Sequence, residues 1–142
     1  MLKQIPLQRI AYNAIPSVVY TNPEIACVGL TEKDLCEIHE GDFAPSMSTD
    51  EPFVPYEVHK LPMTFSGRFV AENEGEMGLC KVIVDKRSKT IIGVHMIGNP
   101  CSGFVATASF AVRMGYTVGE FKQVVFPHPT VGEVLREVVM DA

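Results

Sequence analysis

The sequence predicts an α+β fold in which helices pack on one face of an antiparallel sheet. The order of the predicted elements indicates this class, because short strands and one helix come first, a hairpin follows, and helices close the chain. The hairpin is the strongest of these signals. Two strand-like runs, Gly78–Val84 and Thr90–Ile97, flank the polar link Asp85–Lys89.

The first part of the chain is predicted to form two strands and a helix. Ser17–Tyr20 is a β-branched run that ends in a turn at Thr21–Pro23, and a strand pattern resumes over Glu24–Leu30. Thr31 predicts a helix N-cap because an acidic residue follows three positions later, and Gly41 is the expected end of that helix.

The next stretch is predicted to form a loop and an edge strand. Residues 42–52 are rich in proline, serine, threonine and acidic residues, which is typical of a loop. Val54–Lys60 alternates between polar and apolar residues but contains Pro55. Proline has no N–H to donate to a neighbouring strand, so this segment is expected at the edge of the sheet.

The last third of the chain is predicted to be helical. Ser102 is expected to cap a helix that ends at Gly115. The apolar side of that helix is formed by Phe104, Val105, Ala108, Ala111 and Val112. Thr117–Gln123 is expected to form a short helix, and Thr130–Met140 the last one, with apolar residues at helical spacing.

Length and composition indicate one soluble globular domain. A chain of 142 residues can bury about 68% of its unfolded surface, and 46% apolar and 20% charged residues are ordinary values. The net charge of −5 and the lack of a basic run argue against nucleic acid as a partner. No apolar stretch approaches the ~20 residues of a membrane span, and the first residues lack a signal-peptide core. A cytoplasmic location without a membrane partner is expected.

The four cysteines are interpreted as reduced, structural thiols. They form no Cys-x-x-Cys pair, and none has a histidine at zinc spacing. Cys27 and Cys80 alternate with apolar neighbours, as buried thiols in strands do. No metal site is expected.

His128 is the leading candidate for chemistry. It lies between Pro127 and Pro129, which fix the local φ angles and remove two backbone donors, so the imidazole is held on a stiff loop. Histidine titrates near neutrality, and Glu133 could orient the ring and stabilise its protonated form. Two alternatives stay open: the loop can be merely rigid, and Glu133 can complete a capping box with Thr130.

The rest of the sequence contains no nucleophile or cofactor motif that would complete an active site with His128. His39 and His59 are expected to be solvated, and His95 to be a satisfied core or interface histidine. Dinucleotide and phosphate-binding glycine motifs, a nucleophile elbow and His-Glu-x-x-His are all absent from the sequence. Another chain or domain is therefore expected to complete the active site, and a hydrolase is disfavoured for want of a nucleophile.

Three segments together resemble the C-terminal dimerisation domain of the pyridine nucleotide–disulfide oxidoreductases. In chain order they are Ala14–Glu24 with Val28–Glu32, then Ile91–Gly98, then His128–Glu133. The resemblance covers essentially the whole chain from about Tyr12 onward. Residues 12–142 are therefore assigned to this domain, and residues 1–11 to a linker or an expression-derived segment. Within the family, the chain is most similar to the dihydrolipoamide dehydrogenases.

The resemblance implies a mechanism. In a homodimer, His128 of one subunit would complete the active site of the other and take a proton from dihydrolipoamide, while Glu133 orients the ring. His128 and Pro129 would lie near the flavin, and the peptide bond between them is a candidate for cis.

The resemblance also implies cofactors and partners. FAD and NAD domains upstream would pass electrons from the dithiol to NAD, and the partner would be a lipoyl-bearing protein of 2-oxoacid dehydrogenase complexes. The isolated chain is expected to bind no cofactor and to be inactive. Two rivals stay open: the same domain of another, glutathione-reductase-like disulfide reductase, and a non-catalytic module that only self-associates.

Overall fold

A five-stranded antiparallel sheet organises the computed structural model, which describes residues 10–39 and 55–140. The strands are β1 Ser17–Val19, β2 Ile25–Gly29, β3 Tyr56–Leu61, β4 Leu79–Asp85 and β5 Ile91–Ile97. Their spatial order is β1-β2-β5-β4-β3, and every neighbouring pair is antiparallel. The predicted α+β class, the β4–β5 hairpin and the edge position of β3 are confirmed.

Two helices cover one face of the sheet and enclose the core. The helices are α1 Glu32–His39, α2 Gly67–Glu72, α3 Val105–Met114, α4 Val118–Phe121 and α5 Val134–Met140. α3 packs on β2 and β5, and α5 packs on β3 and β4. Between them lie apolar side chains that alternate along the strands or recur at helical spacing, among them Val82, Val94, Met96, Ala108 and Leu135.

The first helix lies over the opposite face of the sheet. Glu32 of α1 forms ion pairs with Lys60 at 3.7 Å and with Lys81 at 3.4 Å. These two lysines face each other across β3 and β4, and the neighbours of Lys81 along the strand, Cys80 and Val82, are buried in the core. Since side chains alternate along a strand, the lysines and α1 lie on the side away from α3 and α5.

Helix ends were predicted with mixed success. Thr31 caps α1 as expected: the Asp34 N–H donates to the Thr31 hydroxyl at 3.1 Å, and the Thr31 N–H donates to the Asp34 carboxylate at 2.8 Å. Gly115, in the left-handed region with φ of 67°, ends α3. The predicted end of α1 at Gly41 and the predicted loop 42–52 lie outside the described residues.

The predicted N-cap of α3 is wrong. The helix begins after Phe104, which makes no side-chain capping bond. Ser102 lies in a preceding 3₁₀ turn, where its N–H donates to the Glu24 carboxylate at 2.9 Å. The 3₁₀ turn Cys101–Gly103 therefore stands where the local pattern predicted the start of the helix.

The cysteines differ in their environment. Cys80 and Cys101 are buried, and burial raises the pKa of Cys80 to about 12 and that of Cys101 to about 11. Cys27 is only half-buried, so its predicted place in the core is wrong. The core face of β2 is taken instead by Ala26 and Val28.

Neither a membrane span nor a metal centre is found in the described ranges. No helix in residues 10–39 or 55–140 is long and apolar enough to cross a membrane. The same residues contain no group of three or more histidine, cysteine, aspartate or glutamate side chains arranged to hold a metal ion.

The domain should be less stable in acid, because carboxylates accept the hydrogen bonds that close some of its turns. In the β4–β5 hairpin, the Ser88 N–H and hydroxyl both donate to Asp85, and these hydrogen bonds lower the pKa of the Asp85 carboxyl. A carboxyl whose pKa is lower in the folded state contributes stability above its unfolded pKa of about 4. That contribution is lost as the pH falls through the folded pKa. The urea concentration at the unfolding midpoint should therefore decrease as the pH is lowered below about 4, and it should decrease less steeply in Asp85→Asn. Identical pH profiles for the two proteins would contradict this role of Asp85.

Candidate active site

The candidate site is a turn between α4 and α5. Its peptide bond between His128 and Pro129 is cis, as expected. The Thr130 hydroxyl donates to the Pro127 carbonyl at 2.8 Å, which closes the turn around the histidine. The imidazole therefore stands on a turn that the hydrogen bond between Thr130 and Pro127 holds closed.

His128 and Glu133 meet in this turn. Nδ1 of His128 lies 2.7 Å from Oε2 of Glu133, the distance expected when an N–H donates to a carboxylate. The imidazole side chain is 78% exposed, whereas that of Glu133 is only 12% exposed. Since the carboxylate engages Nδ1, the other ring nitrogen, Nε2, is the one that can exchange a proton with a substrate.

The alternative role of Glu133 in a capping box is not observed. α5 is preceded by a 3₁₀ turn, Val131–Glu133, and Thr130 at its start makes no side-chain capping bond. The Glu133 carboxylate meets His128 Nδ1 instead, and the Thr130 hydroxyl donates to the Pro127 carbonyl.

An open groove of about 330 Å³ lies beside the pair. It is lined by Lys122–Phe126, His128, Glu133, Arg136 and Glu137. Val125 on its rim is 91% exposed, while Arg136 and Glu137 form an ion pair at 3.4 Å. The groove leaves the exposed ring of His128 accessible from outside the domain.

The described residues do not form a dinucleotide-binding site of their own. They contain no glycine-rich turn between a strand and a helix of the kind that holds a dinucleotide. The exposed ring of His128 and the adjoining exposed Pro129 are the parts of the turn that could touch a flavin held by another domain.

The other histidines differ from one another. Nε2–H of His95 donates to the Leu30 carbonyl at 3.0 Å, and burial lowers the pKa of His95, so the predicted hydrogen-bonded state is confirmed. The ring is only half-buried and lies opposite Lys81, on the face of the sheet away from the core, so a core position is not.

The prediction for His59 is wrong: its side chain is only 19% exposed, 3.6 Å from Glu57. The strand pattern did not show that this side chain turns towards the core face. The side chain of His39 lies outside what the structure describes.

One residue that contacts the turn was missed by sequence reasoning. Ser66, at the start of α2, is fully buried and donates its hydroxyl hydrogen to the Thr130 carbonyl at 2.9 Å. A serine before a helical segment is a recognisable N-cap signal. Nothing local indicates, however, that its hydroxyl also reaches a residue 64 positions away.

Several known proteins are similar in sequence to this chain. Residues 15–139 match the family described as pyridine nucleotide-disulphide oxidoreductase, dimerisation domain. The mitochondrial dihydrolipoyl dehydrogenase of Caenorhabditis elegans is 37% identical over 128 residues, which cover 90% of this chain and 23% of the relative. Dihydrolipoyl dehydrogenase 3 of Pseudomonas aeruginosa is 33% identical, over 95% of this chain and 27% of the relative.

Solved structures agree on the fold. LpdA of Mycobacterium tuberculosis superposes with a TM-score of 0.75 at 20% identity, over 95% of this chain and 26% of that one. The HOCl-induced flavoprotein disulfide reductase RclA of Escherichia coli gives a TM-score of 0.70 at 20% identity, over 89% of this chain and 26% of that one. The chain thus spans about a quarter of the length of the relatives it matches.

Proposed function

Because the chain belongs to the dimerisation-domain family of the pyridine nucleotide–disulphide oxidoreductases, we propose that it serves a dihydrolipoamide dehydrogenase by supplying His128 and Glu133 across the dimer. The observation that carries this proposal is the 2.7 Å contact between His128 Nδ1 and Glu133 Oε2 on an exposed turn. The dihydrolipoyl dehydrogenases among its relatives support the choice of substrate.

In this mechanism His128 acts as a general base. Nε2 accepts the proton of one thiol of the dithiol, and the thiolate so formed is the nucleophile that attacks a disulfide. Glu133 holds the ring through Nδ1–H and stabilises the imidazolium that forms. FAD, held by other domains, would accept the electrons and pass them to NAD.

The redox disulfide has to come from outside the described part of this chain. Cys80 and Cys101 are buried, and burial raises the pKa of both thiols, which makes them poor nucleophiles. Cys27 and Cys36 lie in β2 and α1 and are not bonded to each other. In the proposed mechanism this disulfide lies in the partner subunit, opposite the exposed ring of His128.

Mixed dimers of the complete flavoenzyme test the sharing of the site. One subunit carries His128→Gln, and the other keeps His128 but has its redox disulfide removed. If the site is shared across the dimer, one of the two sites in each mixed dimer is intact, and about half of the wild-type turnover returns. Homodimers of either variant are the controls. A mixed dimer as inactive as both homodimers would overturn the shared site.

The 142-residue chain itself is expected to form a colourless dimer. Sedimentation equilibrium, recorded at protein and flavin wavelengths, measures both properties at once. A dimer without flavin absorbance supports an interface domain that receives its cofactor contacts from elsewhere. A monomer would contradict self-association by this domain alone, and bound yellow flavin would contradict the outer flavin contact.

The same domain in another disulfide reductase is the second candidate. The observation that favours it is the pair itself, since an exposed base beside a carboxylate can deprotonate any dithiol that reaches it. Turnover of the complete enzyme with dihydrolipoamide, compared with turnover with reduced glutathione as the thiol, distinguishes the two candidates.

A further inference from the structure

Ser66 combines full burial with two hydrogen bonds. It is the only buried polar residue in the described part of the chain. Its hydroxyl accepts the Phe69 N–H at 3.2 Å, as an N-cap does, and donates to the Thr130 carbonyl at 2.9 Å. A buried hydroxyl without partners would cost free energy, so both bonds are needed to keep Ser66 where it is.

Thr130 lies between the two members of the site and is held at its hydroxyl and at its carbonyl. Its hydroxyl donates to the Pro127 carbonyl at 2.8 Å, and its carbonyl accepts from Ser66. His128 precedes it by two residues, and Glu133 follows it by three. Fixing Thr130 to the core therefore fixes the stretch of backbone that carries the side chains of His128 and Glu133.

We propose that Ser66 is a positioning residue whose hydroxyl, through the Thr130 carbonyl, sets the relative placement of His128 and Glu133. The catalytic consequence rests on the proposed function, whereas the placement itself does not. The residue touches neither substrate nor cofactor, and it acts only through the turn.

Capping alone does not account for this serine. An N-cap needs only the acceptor oxygen, whereas the bond to Thr130 uses the donor hydrogen. The other end of α2 is held separately, because the Asn73 side-chain amide donates to the Phe69 and Asn99 carbonyls, each at 3.1 Å. Ser66 and Asn73 thus support the same short helix, but only Ser66 contacts the turn.

This difference provides the test. In the 142-residue chain labelled with ¹⁵N-histidine, at a pH where imidazole is neutral, His128 should show the Nδ1–H tautomer that donates to Glu133. Ser66→Ala should convert this signal into a mixture of tautomers. Asn73→Ala, which weakens α2 without freeing Thr130, should leave the signal as in the wild type.

Turnover in the complete flavoenzyme adds a second readout. Ser66→Ala should lower kcat for dithiol oxidation about tenfold, with a smaller change in KM, because a misplaced base acts less often in the correct geometry. Asn73→Ala should keep the wild-type kcat. Ser66→Cys has a similar shape but a much weaker donor, and it serves if the alanine variant does not fold.

Two results would overturn the proposal. One is a wild-type tautomer and wild-type kcat in Ser66→Ala. The other is an equal change in Asn73→Ala, which would assign the effect to the stability of α2. Failure of the proposed function looks different: His128→Gln would then leave turnover normal, while the tautomer of His128 would still respond to Ser66→Ala.

Discussion

His128→Gln in the complete flavoenzyme is expected to lower turnover with dihydrolipoamide by a factor of about 10² or more. Glutamine keeps the polar character of the position but cannot take up a proton near neutral pH. The thiolate then has to form without a base held beside it. Since the side chain is 78% exposed in the single protomer, its replacement should leave the folding of this domain unchanged.

The same variant contains its own control. Transfer of electrons from NADH through the flavin to an artificial acceptor bypasses the dithiol, so this activity should stay close to that of the wild type. Glu133→Gln keeps a hydrogen-bond acceptor next to Nδ1 but removes the charge, and should show an intermediate loss. Near-normal dithiol turnover in His128→Gln would remove the general base from the mechanism.

Gly93→Ala is expected to destabilise the domain by about 4 kcal/mol or more. A Cβ atom at this position of β5 would lie 2.1 Å from the Leu30 carbonyl oxygen. That oxygen cannot move aside cheaply, because it accepts from His95 at 3.0 Å, and the Leu30 N–H donates to the Ile92 carbonyl at 2.9 Å. The clash therefore separates the end of β2 from the middle of the sheet.

Gly67→Ala is the matched control for this substitution. Gly67 is the first residue of α2, and no heavy atom would lie within 4 Å of a Cβ atom there. Alanine should stabilise the chain by up to about 1 kcal/mol, because it restricts the unfolded chain and favours the helix. Urea unfolding of both variants measures the difference. A stable Gly93→Ala variant would show that the approach of Leu30 to β5 is not a fixed part of the fold.

Features that depend on neighbouring residues were predictable from the sequence. The hairpin β4–β5 and the Thr31 cap of α1 are local, because the residues that form them lie within a few positions of one another. The pair of His128 and Glu133 is also local, and the sequence narrowed the role of the carboxylate to two possibilities. The partner of the carboxylate decided between them, because Glu133 meets His128 Nδ1 and Thr130 makes no side-chain capping bond.

Features that depend on distant residues were missed. Ser102 was assigned to a helix cap, but it lies in a 3₁₀ turn before α3, and its N–H donates to Glu24, 78 positions away. His59 was expected in solvent, but its side chain is only 19% exposed on a strand that α5 covers. The contact of Ser66 with Thr130 spans 64 positions. The periodicity of apolar residues carries no information about such long-range contacts, because they follow from how the helices and strands pack.

The closed turn around His128 has a consequence for the kinetics of assembly. Thr130 bonds to Pro127, and Glu133 bonds to His128, within a single subunit. The conformational entropy of ordering the pair is therefore lost when the domain folds, before it meets a partner. Two subunits can then associate as nearly rigid bodies, and the encounter is not slowed by a rearrangement of the loop.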